Sequence, residues 1–475
     1  MPSGMIAKGL EEEFEILNNE CEAEKVSCVL SVGGVAQAAD VSQWVRSDSE
    51  LQLVVTPAEG HAFNCWQGDV PRGQERAATL ALTVRDDGVM LRDGRPFFPL
   101  GTFGARLTPQ NGKDPDRLFS EFASNGFNCV FCPYSFREGE KCYYDSGDYK
   151  GPWSKDEMER YQAAARRHGV GLWVDPAPHS DYGSAQRMKE IVDSVRYYRD
   201  RPEVLLYAIA DDTASHVTPD VLRNIHNVCH AIDDRRLTMQ PDANDYEGRY
   251  EPYARSTDVF AQEIYPFRNA EHEPAGLSQV IKDCNFAFDG LKKSGMRDRS
   301  IWTIPQAFAG WGLWKKYPSR ELVRAQTYLG IIHGCRGVEY YTYWSWSPGA
   351  DGFAHNPKHT EELYSVTREL ATIVDDLTSR DAKAQPTVEI VTGAAKDPDG
   401  FPSATCLLKD GADGKGPLLL AASSLVYGEP VTVKFRLGAS KAETVFENGR
   451  AVEVKGGVLT DTFGPGEVHV YRLSK

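Results

Sequence analysis

No run of about 18 uncharged apolar residues occurs in this chain, so the sequence holds nothing that reads as a membrane-spanning helix. Lysine and arginine clusters are missing too, and 53 basic side chains face 68 acidic ones for a net charge of −15. A nucleic-acid backbone has to be neutralised by such clusters, so nucleic acid is excluded as a partner. The same surplus weighs mildly against a polyanionic glycan, although a local basic cleft can override a global charge. The opening MPSGMIAKGLEEEFEILNNE lacks a basic start, an apolar stretch and a small-residue cleavage site, and does not read as a secretory signal. The expectation is a cytoplasmic protein, or a fragment of an exported one that is extracellular or held at the cell surface. A phosphate-cradling turn is also lacking, because GTFG at 101–104 does not complete the GxGxxG frame of dinucleotide-binding folds.

The ten cysteines follow no repeating frame. Cys129 and Cys132 form a CxxC, a spacing open to redox chemistry or a metal knuckle. They sit in an apolar run with Val130 and Phe131, however, and no second CxxC follows, so they read as buried structural thiols. Neither a cofactor nor a metal is expected.

What is present is ordinary globular composition, 41% hydrophobic and 25% charged, in 475 residues. That length exceeds a single core and implies two or three domains. An acidic segment covers 1–24. Residues 25–86 lack helical periodicity, and LQLVVTP and TLALTV read as strands between turn signals, giving a small β domain. Within it Gly60, Phe63, Trp66, Gly68 and Asp69 are spaced in a way that resembles internalin-type B repeats. That resemblance implies an exported parent protein, with Phe63 and Trp66 filling a small core.

From residue 87 the rhythm changes. DGVMLRDGRPFFPLGTF reads as a hairpin leading into a first strand at 97–103. Further strands follow at 127–133, 170–176, 203–211, 236–241, 258–266, 300–308 and 337–344, each with a helical segment behind it. Helix signals include Asp114 as a cap before Pro115, a Ser154–Glu157 capping box, and Gly169 as a stop. Eight βα units across 87–380 predict a (β/α)8 barrel, an α/β fold of about 250 residues in its usual form. A doubly wound sheet would need fewer units. After 385 helices vanish: TVEIVTG, ATCLLKD, GPLLLAASS, VTVKFRLG and VHVYRLSK predict an antiparallel β-sandwich over 386–475.

The site of such a barrel lies at the C-terminal ends of its strands. Strand three ends in Asp175, followed by His179 and Asp181; strand four ends in Asp211 and Asp212; strand five runs into Asp242, Asn244 and Asp245. Strand six carries Glu263 and Tyr265, strand seven Gln306, and strand eight Tyr343, Trp344 and Trp346. This pattern resembles the large clan of barrel glycosidases with a general acid/base on strand four and a nucleophile on strand seven. IADDTAS, EIYPF, IPQAF and GVEYYTYW together resemble a bacterial group within it, with Asp-Glu-Pro on strand four and Gln-Ala-Phe on strand seven. The C-terminal ENGRAVEVKGGVLTDTFGPGEVHVYRL resembles the β-sandwich that closes many such enzymes. The resemblance spans roughly 88–475 and implies an O-glycoside hydrolase acting on an oligo- or polysaccharide.

Glycoside hydrolysis needs a carboxylic acid to protonate the leaving oxygen and a second carboxylate across the sugar. By position Asp212 is the acid, with Asp211 beside it raising its proton affinity. The resemblance puts a glutamate at 212, and aspartate is one methylene shorter. Gln306 stands where the clan has its nucleophile; an amide cannot attack an anomeric carbon, so it is expected to hydrogen-bond a sugar hydroxyl. Glu263 is the expected partner carboxylate, with Asp242 and Asp175 behind it.

Each has a plainer alternative. Asp211 and Asp212 could cap a loop, Glu263 could pair with an arginine such as Arg268, and Gln306 could be a structural amide. Glu339 reads as half of a structural ion pair, and Asp175, His179 and Asp181 as a solvated loop in place of a metal site. Trp302, Trp311, Trp314, Trp344 and Trp346 gather on the last two units with Tyr317, Tyr341 and Tyr343. Sugar rings stack their C–H faces on such surfaces, and the loop residues Trp311, Trp314 and Trp346 suit this best, with Trp344 beside them. A binding-only barrel descended from such enzymes is the competing reading, and a surface scaffold a more distant one. Neither the sugar, the linkage nor the oligomeric state is expressed in these motifs.

Overall fold

The computed structural model describes in full residues 81–108, 111–132, 155–176, 181–212, 217–242, 251–268, 276–296, 298–345 and 351–474. Of Ala243, and of seven short strands between residues 2 and 57, it describes the backbone.

Eight parallel strands close into a barrel in chain order. They are β1 (Leu100–Thr102), β2 (Cys129–Cys132), β3 (Gly171–Val174), β4 (Val204–Ala208), β5 (Leu237–Ala243), β6 (Val259–Ile264), β7 (Ser300–Pro305) and β8 (Val338–Tyr340). The ring closes where Leu100 pairs with Val338. This is the fold expected from the alternating pattern.

Strand alternation sorts side chains to two faces. On β6, Val259 and Ala261 point into the barrel while Phe260 and Ile264 meet the helices outside. Phe131, Trp173, Met239, Trp302 and Ile304 fill the interior, and Trp302 is fully buried. Cys129 joins that inner cluster and Cys132 the outer one, so the two thiols face opposite sides of the sheet and cannot share a metal.

The outer helices are α1 (Pro115–Ser124), α2 (Lys155–Arg167), α3 (Ala185–Tyr198), α4 (Pro219–Ile232), α5 (Gly276–Lys293), α6 (Arg320–Ile332), α7 (Pro357–Ala371) and the short α8 (Val374–Thr378). The Asp114 carboxylate accepts the Asp116 N–H at 3.0 Å and Pro115 opens α1, as their order predicts. Gly169 closes α2 at φ +70°; Ser154, its expected cap, lies outside the described residues. The expected helix after β5 is absent from the described part of that connection, which holds a 3₁₀ turn at Glu251–Tyr253. The segment 241–248 is dense in Pro, Asp, Asn and Gly and has no apolar helical period.

The expected hairpin pairs Met90–Arg92 with Arg95–Phe97. Its turn residues Asp93 and Gly94 both have positive φ, the conformation that an Asp-Gly pair allows in a two-residue turn. Leu82–Val84 adds a third strand, and Leu82 and Met90 pack onto the barrel interior, covering its N-terminal end. Arg85 holds this sheet to α8 through a 2.8 Å bond to the Thr378 carbonyl.

Beyond α8 two antiparallel sheets, one of five strands and one of four, share a core that includes Leu419, Val433, Phe435, Leu459, Phe463 and Tyr471. All five expected strands occur, together with short ones such as Lys441–Thr444 and Val458–Phe463. Arg324 on α6 docks this unit, donating to the Val468 carbonyl at 2.7 Å while pairing with Glu369.

At the other end Leu51–Pro57 is the expected strand and pairs antiparallel with Val26–Val32. The segment 1–24, expected as a plain acidic stretch, contains the strands Pro2–Met5, Glu12–Phe14 and Ile16–Asn18. Phe14 and Ile16 alternate there with Glu13 and Glu15, a two-residue period. Residues 60–69, which carry the internalin-like spacing, lie outside the described residues. No described helix is long and apolar enough to cross a membrane.

Candidate active site

Glu263 follows Val259 and Ala261 on the inward face of β6 and stands at its C-terminal end. Asp211 and Asp212 come from the turn after β4, where Asp212 takes a left-handed φ of +49° that aspartate tolerates better than most side chains. Carboxylate oxygens of Asp211, Asp212 and Glu263 lie within 4.8 Å of one another. Asp212 is exposed, whereas Asp211 and Glu263 are half-buried. Residues far apart in the chain thus share one mouth.

Two further acids stand around this cluster. Asp175 is buried just beyond β3, and Asp242 is fully buried on β5, accepting from Gln240 Nε2 at 2.7 Å. Tyr182 lies among Asp175, Asp211 and Asp242; burial first, then Asp175 and Asp211, push its phenol above the ordinary range. Sequence reasoning missed Tyr182. The one available signal was an aromatic side chain right after Asp181 in the loop beyond strand three.

Glu263 has no arginine beside it among the described residues, which corrects the alternative of a pair with Arg268. Its neighbours are acids. Burial, followed by the facing Asp211, Asp212 and Asp242, pushes its carboxyl well above the usual carboxylate range, and only Tyr265 works the other way. The buried Tyr265 phenol is raised as well, by burial and then by Glu263. A protonated Glu263 beside an exposed aspartate is a donor–acceptor pair of the kind acid–base chemistry requires.

Gln306 is fully buried and its amide is engaged. Oε1 accepts the Phe267 N–H at 3.0 Å, and Nε2 donates to the Phe267 carbonyl at 3.1 Å and the Phe308 carbonyl at 3.4 Å. The side chain acts as an extra peptide unit tying the end of β6 to β7. Both Nε2 hydrogens are thereby used within the protein, so the amide has no donor left for a sugar hydroxyl.

Glu339 is also corrected. It is fully buried on the inward side of β8 next to Trp173 and Cys129, and no cation among the described residues pairs with it. Burial pushes its carboxyl well above the usual carboxylate range.

The tryptophans divide. Trp302 is barrel core. Trp344 lies against His355, with ring centroids 3.8 Å apart, so one face is already taken. Trp346, His179, Asn244 and Asp245 lie outside the described residues. Trp311 is 40% exposed and stacks on Trp314 at 5.2 Å and 19°. Trp314 Nε1 donates to the Tyr265 carbonyl at 2.7 Å, which fixes this aromatic shelf two residues from Glu263. Tyr341 and Phe308 pack with Tyr265 below it.

Two described clusters offer three possible cation ligands each: Asp211, Asp212 and Glu263, and at the opposite end His226, His230 and Asp258. In the second, His230 Nε2 lies 2.7 Å from Asp258 Oδ2, which also accepts from the Thr238 N–H at 2.9 Å. Arg299 stands 3.7 Å from the other oxygen. A carboxylate so occupied, with a guanidinium beside it, is a structural tie between α4 and β6. The histidine pair lies four residues apart on α4, a spacing visible in the sequence.

No family model matches the sequence, and no curated protein matches it. Solved structures do. A glycoside hydrolase family 5 protein from Bacteroides vulgatus aligns with a TM-score of 0.55 at 16% identity, covering 82% of this chain and 92% of that one. A second glycoside hydrolase aligns with a TM-score of 0.55 at 14% identity, covering 82% and 96%. A β-L-arabinopyranosidase from Geobacillus stearothermophilus aligns at 0.50 and 10% identity, covering 79% and 96%. At these identities the likeness establishes the barrel fold.

Proposed function

We propose that this protein is an O-glycoside hydrolase whose reacting carboxyls are Glu263 and Asp212, with Asp211 tuning them. The carrying observation is that oxygens of these three side chains approach within 4.8 Å at the strand ends. The short approach favours a retaining double displacement, for which carboxyls stand about 5–5.5 Å apart, over inversion at about 6.5–9.5 Å. The barrel glycosidases among its structural likenesses, and the motifs EIYPF and IPQAF at the expected strand ends, support the same class.

The roles differ from those expected. Glu263, whose proton affinity is raised by burial and by three facing aspartates, serves as general acid; the exposed Asp212 is the partner whose carboxylate attacks the anomeric carbon. Glu263 protonates the leaving oxygen as the glycosidic bond breaks, then takes a proton from the water that releases the sugar from Asp212. Asp175, Asp242 and Tyr265 frame the ring, and Trp311 and Trp314 carry its apolar face.

A binding-only barrel is the second reading, and the Gln306 amide favours it, since no carboxylate stands at the end of β7. The test is a panel of aryl glycosides and oligosaccharides with wild type, Glu263→Gln and Asp212→Asn. Cleavage by wild type and a loss of about a hundredfold or more in each variant supports the hydrolase. Equal rates in Glu263→Gln would remove that assignment, and glycan binding without cleavage at any pH selects the second reading.

A further inference from the structure

A cavity of about 460 Å³ opens beside the aromatic shelf, between the β7–α6 and β8–α7 loops. It is lined by Lys315, Lys316, Tyr317, His355 and His359, with Asp351, Ala309 and Asn356 completing its wall. Both loops leave C-terminal strand ends, and Phe308–Ala309 pairs with Asp351–Gly352 to join them, so the cavity belongs to the same face as Glu263.

Its charge runs against the rest of the molecule. Lys315 and Lys316 are exposed and form no ion pair among the described residues. The lone acid of the lining, Asp351, is engaged by His355 Nδ1 at 2.8 Å. The further acid that acts on Tyr317 and His359 is Glu362, which pairs with Lys358 at 3.6 Å, and this leaves Lys315 and Lys316 as the unpaired charges of the lining in a chain with a net charge of −15. Over about 8 Å at physiological salt, local charge outweighs the global surplus. Two of the lining residues also hold a buried polar atom without a hydrogen bond among the described residues, the Tyr317 hydroxyl and His355 Nε2. The Tyr317 ring lies flat on His359 at 4.0 Å, which holds that wall rigid. The N-terminus of α7, capped by Asn356, adds a weak positive field.

We propose that this cavity is a subsite for an anionic substituent, a uronate carboxylate or a sulfate ester, on a glycan whose neutral rings lie on Trp311 and Trp314. The inference rests on the proposed site at the barrel mouth and names the substrate class for it. The geometry is continuous. Trp314 is bonded to the Tyr265 carbonyl at one side and is followed directly by Lys315 at the other, whose N–H donates to the Arg268 carbonyl at 2.8 Å. A sugar stacked on the shelf therefore has acids toward the mouth and ammonium groups toward the rim. A volume of this size accepts one sugar unit with its substituent.

The test is titration calorimetry with defined tetrasaccharides in three arms: an oligogalacturonate without sulfate, a sulfated galactan fragment without uronate and a neutral cello-oligosaccharide. Asp212→Asn protein is used, so that turnover does not interfere. At least one acidic arm is expected to bind about tenfold more tightly than the neutral one and to weaken as salt rises. The Lys315→Ala/Lys316→Ala protein should lose that advantage while keeping neutral binding, and Trp311→Ala should weaken all arms. Preference for the uronate or for the sulfate separates the two sources. Equal affinity across the arms, no acidic binding, or an advantage that survives loss of both lysines overturns the proposal. Because binding is read, a protein that never hydrolyses a glycan can still satisfy it, which keeps its failure distinct from that of the hydrolase reading.

Discussion

The side chain of Gln306 and the backbone of Phe267 form a two-bond pair, N–H to Oε1 at 3.0 Å and Nε2 to carbonyl at 3.1 Å, across 39 residues of sequence. This pair sets the height of the β6 end, and hence of Glu263 and Tyr265. Gln306→Ala leaves both Phe267 groups buried without partners and should cost roughly 2–4 kcal/mol, seen as a lower urea midpoint. Gln306→Glu should destabilise as well, because an ionised carboxylate cannot donate to the Phe267 and Phe308 carbonyls. A gain of activity in that variant would contradict the scaffolding role.

Glu263 sets the expected pH dependence. Its proton is held above the ordinary carboxylate range by burial and by three facing acids. The rate should therefore persist above the pH at which a free carboxyl ionises and fall as Glu263 deprotonates. Removing one facing charge in Asp211→Asn should shift that alkaline limb to lower pH. A kcat/KM profile on an aryl glycoside reads this directly, and an unmoved limb would assign it to another group.

Glu339 makes a stability prediction of the same sign. A carboxyl whose folded proton affinity is raised contributes stability that is present below its unfolded pKa, about 4.3, and is lost as pH rises through the folded value. Glu339→Gln removes the ionisable group and should flatten that decline, so the variant gains on wild type toward alkaline pH. Melting temperatures across the range check it, and parallel curves for the two proteins would show that folding leaves the proton affinity of Glu339 unchanged.

Trp302 and Trp311 should separate cleanly. Trp302→Ala empties the fully buried centre of the barrel and should cost about 3–5 kcal/mol. Trp311→Ala removes a 40% exposed ring, so stability should hardly change while oligosaccharide affinity drops. Equal destabilisation by both would end the shelf's role as a ligand surface.

The barrel was legible because its strands are short apolar runs at regular intervals with capped helices between them. Local rules of this kind need no tertiary knowledge. The alternation of the other units predicts a helix after β5, although the sequence from Asn244 to Gly248 is rich in residues that disfavour one. Convergence of Asp211, Asp212 and Glu263 followed from barrel topology once each was placed at a strand end. The raised proton affinity of Glu263 did not follow, because it depends on which charges face each other through space. Gln306 shows the same boundary. Its residue type announces hydrogen bonding, but its partners are backbone atoms on another strand. Likewise the burial of Glu339 without a cation depends on Trp173 and Cys129, both on other strands and neither a residue that would suggest it.

The Asp93–Gly94 turn bears on how material passes through the molecule. With Leu82 and Met90 seated against the inner residues, the far opening of the cylinder is stoppered. Phe131, Trp173, Met239, Trp302 and Ile304 fill the cylinder behind that cap, so on the proposed reading a ligand enters and leaves by the face of the strand tips. A polymer cannot be threaded through such a vessel, only presented to it end-on or along a flank. A leaving fragment that lingers on the shelf would then block the next arrival.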